Sequence, residues 1–320
     1  MTLRNFIDHV MEQLAPLYPP QECKAMAVRM LKELLAGYKG YEHMVEPATE
    51  LDTFQIAPEG TAEGSQPSQH PGAEKYLLSC VERLATGEPL QYVMGFEWFC
   101  GHKFNVAPGV LIPRPETEEL VNKAIGFAQQ HQSANPLRIL DICTGSGCIA
   151  WSLAAAVPQA EVNACDISQQ ALKIASTQQI QCADNTLAKV KFLECDILSE
   201  DAQQKIAQAC GEGEFNLIIS NPPYVCECEK SQMRENVLNH EPHLALFVPD
   251  NDPLKFYRAI AQLSGRILSP GGALMFEINE RFGAETAQMM QQMGYTGCQV
   301  QQDLFGKDRM VVGYKESVSL

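Results

Sequence analysis

Basic residues are scarce in this chain. Twenty-four Lys and Arg stand against 39 Asp and Glu, a formal net charge of −15 over 320 residues. A broad nucleic-acid-binding surface needs clustered cations, so this balance counts against one. It is compatible with a protein partner carrying a basic patch, or with a cationic ligand steered by the acidic surface. Also missing is any apolar run near the ~20 residues that a membrane span requires. Asp8, His9 and Glu12 interrupt what would be the apolar segment of a signal peptide, so a cytoplasmic location is expected. Paired cysteine motifs are absent too. Of twelve cysteines, Cys143, Cys148, Cys165, Cys195 and Cys298 sit in or beside apolar strand-like runs, where a thiol behaves as a small hydrophobe. With no secretion signal, a reducing compartment is expected. Cys226-Glu227-Cys228 has one intervening residue and no second pair or His cluster, whereas structural zinc sites show wider paired spacings. No metal is expected.

What is present is an ordinary globular composition, 45% hydrophobic, in a chain long enough for two domains and a large core. Leu3, Phe6, Ile7, Val10, Met11, Leu14 and Leu17 recur at helical spacing behind Thr2 as N-cap. Ala27 to Leu35, closed by Gly37, and Tyr76 to Leu84, closed by Gly87, form two further stripes. All three read as simple helix packing. From Gly40 to Glu74 there is no Lys or Arg, and residues 57–72 are rich in Gly, Pro, Ser and Glu without periodicity, which predicts a mobile acidic surface loop over about 40–72. Residues 90–112 alternate and are punctuated by Gly95 and Gly101, predicting one or two β-hairpins. The expected organisation is a helical domain over 1–88, a β-hairpin linker over 89–112 and an α/β domain over 113–320.

From Leu137 onward strands and helices alternate. Strands are predicted at 138–143, 161–166, 190–196, 215–220 and 273–278, with helices at 149–157, 169–182, 200–210, 254–268 (ended by Pro270-Gly271-Gly272) and 283–293. Two strands, 299–304 and 309–314, close the chain as an antiparallel pair. Such a series means a mostly parallel sheet covered on both faces, with ligands at the carboxyl ends of the strands.

Those strand ends carry the chemistry. Asp141-Ile142-Cys143-Thr144-Gly145-Ser146-Gly147 joins the first strand to its helix, and its glycines allow a tight turn and close ligand approach. Gly145-x-Gly147-x-x-Ala150 also fits a dinucleotide pattern. Asp166, 19 residues after Gly147, can accept both hydroxyls of a ribose or simply cap the following helix. Asp196 and Ile197 end the third strand, an acidic and an apolar group suited to the amine and the face of an adenine. Asn221-Pro222-Pro223-Tyr224 ends the fourth. Two prolines stop the ladder and stiffen the chain. An Asn beside free carbonyls makes a compact acceptor for an NH2 group, and the Tyr adds a flat apolar face; the bland reading is a proline-rich turn. Upstream, Leu111-Ile112-Pro113-Arg114-Pro115-Glu116-Thr117-Glu118 sets a rigid entry to a helix, with Arg114 and Glu116 held either near the site or in an interdomain connector. A dehydrogenase has no use for the Asn-Pro-Pro-Tyr turn; a methyltransferase acting on an NH2 group does.

Together, Gly87-Glu88-Pro89-Leu90, LIPRPETE at 111–118, ILDICTGSGCIA at 139–150, IISNPPYV at 218–225 and GKDRMVVG at 306–313 resemble the peptide chain release factor glutamine methyltransferases. The resemblance runs from about residue 75 to the end, and the N-terminal helical domain suits the family as well. It implies a Rossmann-like, class I S-adenosylmethionine-dependent methyltransferase domain behind a five-helix-like N-terminal domain that recognises substrate. It implies S-adenosyl-L-methionine as cofactor and S-adenosyl-L-homocysteine as product. Asp141, Cys143, Thr144, Gly145, Ser146, Gly147, Asp166, Ile167, Asp196, Ile197 and Asn221 would line the cofactor site. Asn221, Pro222, Pro223 and Tyr224, with Arg114 and Glu116, would hold the substrate, and Asn221, Pro222 and Tyr224 would carry catalysis. The expected partner is a class I peptide chain release factor, methylated on the glutamine of its Gly-Gly-Gln tip by a monomeric enzyme without nucleic-acid or membrane contacts. Cys143 departs from the family's usual glycine, and the small thiol implies a turn that does not need a glycine-only conformation. Ile197 stands where some members carry an aromatic. A glutamine methyltransferase of a ribosomal protein, an adenine-amine methyltransferase of DNA or RNA, an NAD-dependent oxidoreductase and a catalytically silent binding module are the alternatives.

Overall fold

A computed structural model describes residues 1–35, 73–131 and 135–317; the acidic loop expected at about 40–72, and Gly37, lie outside them. The chain divides into two compact units, Met1–Gly95 and Phe96–Leu320.

In the first unit, α1 (Leu3–Leu14) buries Leu3, Phe6, Ile7, Val10 and Leu14 along one face, and the Thr2 hydroxyl accepts the Asn5 N–H at 3.1 Å as its N-cap. The faces of α2 (Pro20–Leu35) and α3 (Ala73–Leu84) close the same apolar cluster through Met26, Met30, Leu31, Leu77, Val81 and Leu84. Residues 90–94, expected within a hairpin, instead form a helical turn, α4 (Leu90–Met94), which adds Leu90 and Val93 to that cluster. Burying these side chains against α1–α3 outweighs their local strand-like alternation. Gly95 ends the turn at φ +80, and Arg83 of α3 anchors it by donating to the carbonyls of Tyr92 and Val93 at 3.1 and 3.2 Å.

The second unit opens with the hairpin β1 (Phe96–Phe99) and β2 (His102–Asn105), whose Phe99 and Phe104 are buried in the core of this unit. Then follow α5 (Pro115–Gln130), β3 (Arg138–Ile142), α6 (Cys148–Ala156), β4 (Glu161–Asp166), α7 (Gln169–Ala175), β5 (Val190–Glu194), α8 (Ala202–Cys210) and β6 (Phe215–Ser220). A stretch of short elements comes next, β7 (Val225–Cys226), α9 (Glu235–His240), α10 (His243–Leu246) and β8 (Phe247–Val248). The chain closes with α11 (Lys255–Ile267), β9 (Leu268–Glu277), α12 (Gly283–Gln292), β10 (Tyr295–Gln302) and β11 (Asp308–Lys315). Among the described residues, seven strands form one sheet in the order β10-β11-β9-β6-β3-β4-β5, parallel from β9 to β5 and antiparallel where β10 and β11 join. Alternate residues of each central strand feed two apolar cores. Ile139, Leu217, Ile219 and Met275 pack under α5 and α6, while Leu140, Ile142, Ile218 and Phe276 pack under α8, α11 and α12. This is the Rossmann-like arrangement that strands buried on both faces require.

Several boundaries differ from expectation; β10, for one, is Tyr295–Gln302 rather than 299–304. α7 ends at Ala175 rather than Cys182, because Thr177 and Gln178 turn off the helix and the Gln178 side chain clamps Asn105 of β2 through both backbone groups, at 2.8 and 2.9 Å. β5 ends at Glu194, so Asp196 and Ile197 lie in the turn beyond it. Pro270-Gly271-Gly272 does not stop α11. That helix ends at Ile267, and β9 runs through the three residues, with Gly272 placed where a Cβ would lie 2.8 Å from the Ser269 carbonyl oxygen.

Candidate active site

From β3 the chain moves outward through β4 to β5, then returns to place β6 and β9 on the other side of β3. The connections therefore diverge between β3 and β6, the position at which open α/β sheets leave a crevice beyond the strand ends. The turns after β3, β4, β5 and β6, together with Leu111, Pro113 and Arg114, line a cleft there.

The turn after β3 is held from both sides. Thr144 N–H donates to the Cys165 carbonyl at 3.0 Å and Gly147 N–H to the Thr144 carbonyl at 2.8 Å. Gly147 has φ +80, and a Cβ there would lie 2.9 Å from Trp151 Cδ1, so only glycine fits. Cys143 has φ +61. The backbone at this position is left-handed, a region that residues other than glycine can enter, and the cysteine holds it at a cost of roughly 1–2 kcal/mol. Burial and the carboxylates of Asp166 and Asp141 push its pKa well up, so it stays a neutral thiol.

Asp166 latches this turn to the next strand. Its Oδ2 accepts the Gly145 N–H and its Oδ1 the Ser168 N–H, both at 2.9 Å. A carboxylate has about four acceptor sites, so both hydroxyls of a ribose still have places. Burial raises its pKa. Asp141 is fully buried. Its Oδ2 accepts the Thr144 hydroxyl at 2.5 Å, while Oδ1 has no partner among the described residues; burial pushes its pKa up to about 7. Asp196 and buried Ile197 reach the cleft from the turn after β5, with Asp196 Oδ1 accepting the Leu198 N–H at 2.9 Å.

On the opposite wall Asn221 follows β6. Its Nδ2 donates to Thr117 Oγ1 at 3.3 Å; Thr117 donates in turn to Glu277 Oε2 at 2.6 Å, and Tyr224 OH to Glu277 Oε1 at 3.0 Å. Pro222 and Pro223 are buried, and the Tyr224 carbonyl accepts from Asn279 Nδ2 at 3.2 Å, which pins the far end of the turn. Arg114 pairs with the buried Glu241 at 2.5 Å, and the same carboxylate accepts the Ile112 N–H at 3.1 Å, fixing the extended segment before α5.

Of the residues singled out from sequence, Arg114, Cys143, Thr144, Gly145, Ser146, Asp166, Ile167, Asp196, Ile197, Asn221 and Pro223 line the cleft together. Asp141 and Gly147 stand behind it as supports. Pro222, Glu116 and Tyr224 are not among the lining groups. The Tyr224 hydroxyl is held by Glu277 and its ring packs against the core, so a stacking role for that ring is not what this geometry offers. Thr117, Glu241 and Glu277 escape a reading of the sequence. The available signal for Glu277 is an acidic residue inside the otherwise apolar sequence run Ala273–Ile278, and Thr117 lies within the polar stretch at 111–118.

Two consequences are measurable. Cys143→Gly should be neutral or stabilising by up to about 1 kcal/mol in urea unfolding, whereas Cys143→Val should destabilise, because a branched residue tolerates φ +61 poorly. The raised pKa of Asp141 means that the folded state holds its proton more tightly than the unfolded chain does. The resulting stability is fully present below about pH 4 and is lost as the pH rises through about 7. The melting temperature of Asp141→Asn minus that of wild type should therefore increase between about pH 5 and pH 8; a constant difference would contradict the assignment.

Comparison with known proteins shows the family to which this chain is similar. The model of the methyltransferase small domain matches residues 126–244. A release factor glutamine methyltransferase of Bacteroides thetaiotaomicron is 40% identical over 95% of this chain and 96% of its own length. One of Flavobacterium psychrophilum is 38% identical over 97% and 98%. A solved structure of a release factor-specific protein-(glutamine-N5) methyltransferase from Alicyclobacillus acidocaldarius is 26% identical and aligns with 67% of this chain and 99% of its own, at a TM-score of 0.40. With near-complete coverage at the identity of the two full-length relatives, the chain belongs to the release factor glutamine methyltransferase family.

Proposed function

We propose that this protein transfers a methyl group from S-adenosyl-L-methionine to the side-chain amide nitrogen of the glutamine in the Gly-Gly-Gln motif of class I peptide chain release factors. The family supports the substrate class. The observation that carries the chemistry is Asn221, whose amide nitrogen is engaged by Thr117 while, among the described residues, no donor reaches its Oδ1.

The cleft fits the donor by its own chemistry. Asp166 keeps free acceptor sites for a ribose, the turn at 143–147 brings backbone to the cleft wall, and Ile197 offers an apolar surface beside the Asp196 carboxylate for an adenine. When bound, S-adenosyl-L-methionine supplies an electrophilic methyl on a sulfonium. The surrounding carboxylates suit that positive charge.

An amide nitrogen is a poor nucleophile because its lone pair is delocalised into the carbonyl. Asn221 Oδ1 would accept one N–H of the substrate amide, orienting it and enriching the nitrogen in electron density; Pro222, whose carbonyl the sequence offers as the second acceptor, does not line the cleft. The buried Pro222 and Pro223 stiffen the turn that carries Asn221. Arg114, held by Glu241, frames the cleft on the side of the extended segment before α5. The acceleration comes from positioning and a preformed electrostatic site, with the amide proton passing to water once the nitrogen has been methylated.

Incubation with radiolabelled S-adenosyl-L-methionine and, separately, a class I release factor, ribosomal proteins and DNA tests the assignment. Mass spectrometry should place the label on the glutamine of Gly-Gly-Gln. Label confined to ribosomal protein or to DNA would overturn it.

A further inference from the structure

Asn and Gln amides have no intrinsic preference for which end faces a site; the neighbouring hydrogen bonds decide. At Asn221 the decision is made two residues away in the bonding chain. Glu277 is 1% exposed, and its two oxygens receive the hydroxyls of Thr117 and Tyr224 at 2.6 and 3.0 Å. An ionised carboxylate only accepts, so both hydroxyls must donate to it. Thr117 then has no proton left to give, and toward Asn221 it acts as an acceptor, which selects the NH2 end of the amide. The Glu277 pKa is raised by burial and, to a lesser extent, by the Glu116 carboxylate, while the two donated hydroxyls and the positive field of Arg309 act in the opposite sense and favour the ionised form. Arg309 is itself held at 3.1 Å from Asp303.

We infer that Glu277 and Thr117 are positioning residues for methyl transfer: the buried carboxylate, acting through the Thr117 hydroxyl, holds Asn221 with Oδ1 as the acceptor facing the substrate amide. The inference rests on the proposed glutamine methylation. A reversed Asn221 would present NH2 to the substrate NH2, donor against donor, and the substrate nitrogen would lose its orientation. Tyr224 serves the same carboxylate by satisfying its second oxygen. A purely structural role would require only that Glu277 be satisfied, with its loss felt in stability alone.

Glu277→Gln and Thr117→Val are close in shape to the native residues and separate the two accounts. In Glu277→Gln the new amide can donate to Thr117, which frees the Thr117 proton for Asn221 Oδ1. Thr117→Val removes the relay altogether. Methylation of a release factor should show kcat lowered about 10- to 100-fold in each variant, with the calorimetric Kd for S-adenosyl-L-methionine within about threefold of wild type. Thr117→Ser should recover most of the loss seen in Thr117→Val. The double variant should be no slower than the slower single, because both changes act through one amide. If Glu277→Gln fails to fold, the Thr117→Ser and Thr117→Val pair decides by the same criterion. Wild-type kcat in Thr117→Val, or multiplicative losses in the double variant, would overturn the inference while leaving the proposed function standing. A wild-type protein that does not label release factor would overturn both.

Discussion

The parallel register between β6 and β9, which sets Ser220 opposite Phe276, is the constraint on which the cleft depends. It brings the residue after β6, Asn221, abreast of the last residue of β9, Glu277. The register of β6 with β3, Ile142 opposite Ser220, and the Ser220 hydroxyl bonded to the Ile142 carbonyl at 2.6 Å, bring the same Asn221 alongside the turn at Cys143–Gly147. A slip by one residue would reverse which side chains face each core. It would carry Ile218 and Ile219 to the wrong faces, so the apolar packing that stabilises the sheet also aligns the site.

On that frame two walls form with different physical characters. The wall from β3, β4 and β5 is made of backbone turns tied by carboxylates: Asp166 latches Gly145 and Ser168, and Asp141 secures Thr144. The wall from β6, α5 and β9 is a chain of hydroxyl, amide and buried carboxylate. Burying Glu277 without partners would cost heavily; two donated hydroxyls and a nearby guanidinium make it tolerable and give the chain of bonds a direction. The first wall suits a nucleoside with a charged tail, the second a planar amide.

Much of this is legible in the residues. The strands Glu161–Asp166 and Phe215–Ser220 can be read to the residue because their apolar runs are bounded by Gly, Pro, Asp or Asn. The grouping of strand-end residues follows from parallel topology alone, and the family from motifs in the second unit. Local pattern fails where distant contacts override it. Residues 90–94 alternate like a strand but fold as a helix against α1–α3, and Cys143 holds a left-handed backbone because Asp166 and Cys165 fix its neighbours. Thr117 and Glu277 are 160 residues apart, so their pairing has no local signature; neither does the burial of Glu241 beneath Arg114.

In the proposed reaction Asn221 Oδ1 is the acceptor that orients the reacting amide. The most direct test of that role is the single-turnover rate of methyl transfer from saturating S-adenosyl-L-methionine to a class I release factor, wild type against Asn221→Ala. The expected rate in the variant is about 100- to 1,000-fold lower than in wild type. A rate within about threefold of wild type would contradict it.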